Sequence, residues 1–165
     1  ALEDVDTVSF VTHSMGGLVV RETLQRQGAW RARMTVNGVA MLAPPSRGAA
    51  AADAFRDLAP YRWFTGPAGQ DLTTLKAANI PLPAARACII AGGRGEEAGY
   101  NPWLAGDDDG VVRVEEARLA GVDDFLLVPT IHTFVIGHPS TREALLRFLA
   151  GGRCAARDAA KTISG

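Results

Sequence analysis

Ser14 stands in the stretch DTVSFVTHSMGGLVVRETL, residues 6–24. A mostly apolar run leads to a His-Ser pair, two glycines follow, and the pattern then turns helical. A serine hydroxyl is a poor nucleophile at neutral pH. It needs a base within hydrogen-bond reach and a carboxylate to orient that base. A tight strand-to-helix turn with serine at its tip would lift the hydroxyl above the C-terminal edge of a sheet. Gly16 and Gly17 allow strand and helix backbones to approach closely. The Met15 N–H, at the helix N-terminus, would face negative charge developing on an oxygen. A phosphate cradle is the rival use of such a turn, but neither G-x-G-x-x-G nor G-x-x-x-x-G-K-[ST] is present. Ser-x-Gly alone would read as an ordinary capped turn. The hydrophobic strand before it and the amphipathic helix after it favour the nucleophile.

The elements that must position this serine follow from apolar spacing. Residues 5–12, 35–43, 85–93 and 125–131 read as strands. A helix is expected over 15–27 with Gly28 as its stop, and short helices over 49–57 and 70–77. Residues 140–152, STREALLRFLAGG, read as a helix with Ser140 as N-cap, Glu143 three residues on and Gly151 as its stop. Residues 92–110 form a long loop of the kind that carries function. The last dozen residues read as a frayed tail. Strands alternating with helices imply parallel pairing and right-handed crossovers, hence an α/β class with a doubly wound, mostly parallel sheet.

Composition narrows the function classes. The 165 residues suffice for one domain with a core. A formal net charge of −1 supplies no basic field for nucleic acid. No run approaches the roughly 18 apolar residues of a membrane span. Cys88 and Cys154 are too few for a zinc site or a disulfide framework, though one bridge between them is open. Ala105, Asp107, Asp109, Gly110 and Glu116 fall on EF-hand loop positions, but alanine at the first position and a strand-like VVRV argue against calcium, so no metal and no cofactor is expected.

HSMGG between strand and helix resembles the nucleophile elbow of the α/β-hydrolase superfamily, especially its bacterial lipase- and esterase-like members. One departure is Thr12, where the G-x-S-x-G pattern has its first glycine. The resemblance extends through FVTHSMGGLVVR, MLAPPSRG, GPAGQDL, DGVVRVEEARLAGVDD and IHTFVIGHPSTREALLRFLAGG, in that order and over nearly the whole chain. It implies the chain order serine, acid, histidine. His132, after the last strand and before the last helix, then stands where the catalytic histidine belongs, ahead of His138. By position Asp107, Asp108 and Asp109 all qualify as the acid. The similarity of Asp-Gly-Val-Val to the family's acid loop selects Asp109. Asp123 and Asp124 read as surface or supporting residues. Ser14, Asp109 and His132 are thus the implied catalytic residues and Met15 the oxyanion donor, with His13, Gly16 and Gly17 in support. Residues 1–150 would form a partial hydrolase domain, 46–85 a cap-like insertion within it, and 151–165 a tail. The aromatic cluster at 61–64, with Leu72 and Leu75, would line an acyl pocket or form the core of the cap.

The family pattern also implies strands before the elbow, including a loop that supplies a second oxyanion N–H. Only about six residues precede the first strand here, which carries the expectation that the first third of the domain is missing. The expected function is hydrolysis of small-molecule or lipid esters in a longer parent chain. The isolated chain would be weakly active or inactive and inclined to associate through an open sheet edge. Acyl transfer to an alcohol, amide or thioester cleavage, and a non-catalytic interaction module are the alternatives. Compartment and acyl-chain preference are not encoded in these patterns.

Overall fold

Valine, threonine and phenylalanine, which suit a pleated surface, fill the first strand, β1 (Thr7–His13). The computed structural model describes residues 5–26, 33–47 and 79–156. After β1 come α1 (Gly16–Gln25), β2 (Thr35–Leu42), β3 (Arg86–Gly93), α2 (Val114–Ala117), β4 (Phe125–Pro129) and α3 (Pro139–Leu149). A single 3₁₀ turn, His132–Phe134, lies between β4 and α3. The described strands form one sheet in the order β1-β2-β3-β4, and every pairing is parallel. Their C-terminal ends therefore share one edge.

Alternation along β2 and β3 divides the core into two layers. Ala40, Leu42, Cys88 and Ile90 face α3 and pack with Val128, Val135, Ala144 and Phe148. Val39, Met41, Ile89 and Ala91 face the other way, toward Val20 and Leu24 of α1, Val112, and Ala117 of α2. Close approach fixes the α3 layer: a Cβ on Gly38 would lie 2.8 Å from Phe148 Cζ. Arg86 stacks its guanidinium 4.6 Å above the Phe148 ring and donates to the carbonyls of Phe148 and Gly152.

Several sequence expectations change. α3 is capped by His138, whose Nδ1 accepts the Ser140 N–H at 3.3 Å, and not by Ser140. Pro139 occupies the first helical position, where a missing N–H costs nothing, and the cap lies two residues upstream of the expected one. VVRV is not a strand: Arg113 caps α2, with Glu116 accepting its backbone N–H. Arg21, a charged residue of the amphipathic helix α1, is fully buried and donates to the carbonyls of Ile80 and Pro81. The start of the expected tail is tied down as well. Cys154 is buried and disulfide-bonded to Cys88 of β3, while Asp124 accepts the N–H groups of Cys154 and Ala155. The helices expected at 49–57 and 70–77, the aromatic cluster at 61–64, Leu72, Leu75 and Gly28 lie outside the described residues, as does most of the cap-like insertion.

No helix among the described residues is long and apolar enough to cross a membrane.

The Cys88–Cys154 bond closes a sequence separation of 66 residues. Its removal in a Cys88→Ala/Cys154→Ala variant is expected to cost about 2–4 kcal/mol, through the greater freedom of the unfolded chain. Urea unfolding measures this, and an unchanged midpoint would show that the bond adds no stability.

Candidate active site

The turn between β1 and α1 is held by backbone bonds and by the absence of side chains. Ser14 lies at φ 53°, in the left-handed region that disfavours residues with a Cβ. Its N–H donates to Leu42 O at 2.8 Å, at the end of the neighbouring strand, and its carbonyl accepts the Gly17 N–H at 3.0 Å. A Cβ on Gly17 would lie 3.0 Å from Pro44 Cβ, and one on Gly16 would lie 3.3 Å from Thr12 Cβ. Thr12 thus fits where the family pattern has glycine, provided that residue 16 has no side chain. Met15 is the N-cap of α1. Among the described residues no hydrogen bond uses its N–H, which leaves that donor available at the helix N-terminus.

Ser14, His132 and Asp109 form one hydrogen-bonded chain. Asp109 is 1% exposed. Its Oδ1 accepts the N–H groups of Val111 and Val112 at 3.0 and 2.7 Å, and its Oδ2 lies 2.7 Å from His132 Nδ1. A carboxylate facing Nδ1 requires the proton to be there, so Nε2 of the neutral ring is an acceptor. Ser14 Oγ lies 3.0 Å from that Nε2. The His132 N–H donates to the Asp109 carbonyl at 2.8 Å, so one residue holds both ring and main chain of the histidine.

The other aspartates of the triplet face different partners. Asp107 accepts the N–H groups of Arg94 and Gly95. Asp108 accepts those of Asn101 and Gly110. Glu116 bonds Arg113. The residues on EF-hand positions therefore do not converge on a common centre. His138 caps α3 and is not among the groups bonded to Ser14 or His132. His13 donates from Nε2 to the His132 carbonyl at 3.2 Å, with ring centroids 4.8 Å apart. Burial, and next the neighbouring His132, push the His13 pKa below its ordinary value of 6.5.

Sequence reasoning missed Gly92. A Cβ there would meet Thr130 O at 2.6 Å, Asp109 Cβ at 2.8 Å and Val135 Cγ2 at 2.9 Å. The end of β3 must be bare so that the acid and histidine loops can close over it. The pair of glycines ending IIAGG was the available signal, but a strand end before a loop is equally rich in glycine.

The architecture matches a solved structure. The chain aligns with the mature form of Bacillus licheniformis lipase BlEst2 at a TM-score of 0.61, over 86% of this chain and 65% of that one. The shared fold is α/β, a four-stranded parallel sheet alternating with helices. Sequence identity over the match is 19%, and the chain spans just under two thirds of the lipase's length. No protein-family model matches the sequence, and no curated protein matches it. Within this α/β fold, Ser14 follows β1, Asp109 lies in the loop after β3 and His132 follows β4, all beyond the shared C-terminal edge.

Gly92→Ala tests the closure of the two loops. Overpacking at this position is expected to cost about 1–3 kcal/mol and to weaken the Asp109–His132 contact, seen as loss of the low-field Nδ1 proton resonance. A variant with wild-type stability and an unshifted resonance would show that the loops do not need a bare residue there.

Proposed function

We propose that the chain carries a serine hydrolase site for carboxylic esters, with Ser14 as nucleophile, His132 as general base and acid, and Asp109 as the group that orients and charge-stabilises the base. The observation that supports this most is the continuous relay from buried Asp109 Oδ2 to His132 Nδ1 and from Nε2 to Ser14 Oγ, at 2.7 and 3.0 Å. That the chain shares its fold with a bacterial lipase agrees with this reading.

In this mechanism Ser14 Oγ attacks the ester carbonyl as its proton passes to His132 Nε2. The carbonyl π electrons move onto oxygen, and the Met15 N–H is the donor proposed to meet that charge. Asp109 remains ionised beside the imidazolium. Collapse breaks the bond to the alkoxy oxygen, which leaves with the proton from His132. Water then attacks the acyl-serine and gives its proton to the same nitrogen; the bond from the acyl carbon to Ser14 Oγ breaks, Oγ takes that proton back from His132, and the acid is released. Two features support pre-organisation. The strained turn holds Ser14 Oγ toward the ring, and three hydrogen bonds fix the carboxylate before any substrate arrives.

The test is acid-quenched mass spectrometry after mixing with p-nitrophenyl butyrate. A butyryl adduct mapping to the peptide that contains Ser14, and absent in Ser14→Ala, is expected. His132→Ala should slow its formation by about 10²–10⁴-fold. Acylation elsewhere, or at an equal rate in both variants, would refute the assignment.

A further inference from the structure

Each of the four polar atoms of His132 has a partner. Its N–H and Nδ1 are both taken by Asp109, Nε2 by Ser14 and its carbonyl by His13. These contacts divide into two groups. The two from Asp109 join the loop after β3 to the loop after β4 and make Asp109 and His132 one unit. The other two join that unit to the turn after β1, and they come from consecutive residues, His13 and Ser14.

A single contact through a hydroxyl is a pivot. The serine Oγ rotates about one bond, so the Asp109–His132 unit as a whole can shift about it without losing the hydrogen bond. A second contact between β1 and that unit, at the His132 carbonyl, removes that freedom. His132 also begins a short exposed turn: Phe134 is 63% and Ile136 51% exposed, and Val135 is the buried residue that anchors it. Side chains on a regular strand alternate in direction, so neighbours would not normally reach one target. The left-handed φ of Ser14 breaks that alternation and lets both side chains meet His132.

We propose that His13 is a positioning residue for the base: with Ser14 it grips His132 at two points, main-chain carbonyl and ring, and so fixes the approach of Nε2 to the nucleophile. This rests on the reading of Ser14 as nucleophile and His132 as base. The chemistry of the contact specifies its form. A carbonyl only accepts, so His13 carries its proton on Nε2. His13 faces two titratable groups, His132 and Asp109. Burial keeps its ring neutral below the ordinary histidine range, so no second positive charge stands beside His132 when that ring takes the serine proton.

Two variants separate the donor from the ring. His13→Phe keeps a planar side chain and removes the N–H. His13→Gln restores a side-chain N–H at a similar reach. The readout is the rate constant of the p-nitrophenolate burst, with its dependence on ester concentration. His13→Phe is expected to slow acylation by about tenfold to 10²-fold with little change in the half-saturating concentration, because the displacement acts on geometry and not on substrate contacts. His13→Gln should recover most of that loss. A wild-type burst rate in His13→Phe, or equal impairment in the folded Gln and Phe variants, would overturn the proposal.

A second readout does not depend on turnover. The chain holds only three histidines, so their imidazole nitrogen resonances are readily assigned. A neutral His13 with its proton on Nε2 is expected near neutral pH. A proton on Nδ1 would overturn the clamp whether or not the wild-type chain acylates. Absence of a burst from wild-type protein with the Nε2 tautomer intact would count against the proposed function and leave the His13 contact standing.

Discussion

Ser14 occupies a backbone conformation that costs on the order of 1–3 kcal/mol, and the surrounding structure holds it there, with its carbonyl accepting the Gly17 N–H and its own N–H donating to the carbonyl of Leu42. That bond ties the turn to the end of the adjacent strand. It exists because β1 and β2 run parallel and, beyond a register shift between Val8 and Ser9, bring His13 opposite Leu42. The same parallelism puts the loops after β3 and β4 beside the turn. Position at this edge is therefore a product of sheet register, and groups as far apart as residues 14 and 132 meet without any local sequence signal between them.

Side chains that are absent matter as much here as those present. Gly17 gives way to Pro44, Gly16 to Thr12, Gly38 to Phe148 and Gly92 to Asp109 and Thr130. At Gly38 and Gly92 the neighbours come closer than a Cβ permits, and at Gly16 and Gly17 a Cβ would be a tight fit. At the opposite end of the sheet, the Cys88–Cys154 bond, Asp124 and Arg86 hold the segment after α3 against β3 and β4. The sheet is fixed at its base by a covalent bond and at its active edge by hydrogen bonds.

Much of the site was legible from the chain. Ser14 declared itself through a strand, a small-residue turn and a helix. His132 and Asp109 followed from family resemblance and chain order, and the structure brings those three residues into contact. The strands were legible because residues 39–42 of β2 and 88–91 of β3 are buried on both faces and so read as apolar runs. What was hidden depended on tertiary partners. The burial of Arg21 was hidden because its acceptors are carbonyls at positions 80 and 81, which carry no side-chain signature. Among three adjacent aspartates, spacing could not tell which would face a histidine, since their separate partners are backbone N–H groups. The cap of α3 was misread because a histidine is a rare cap and a serine stood two residues on.

The central claim is that Ser14 is activated by the folded arrangement around it. The most direct measurement is intact-mass analysis after treatment with a fluorophosphonate, which reacts with an activated serine and scarcely with an ordinary one. One adduct per chain on native protein is predicted, absent from Ser14→Ala and from urea-unfolded protein. A folded chain that takes no adduct, or one labelled equally after unfolding, would contradict it.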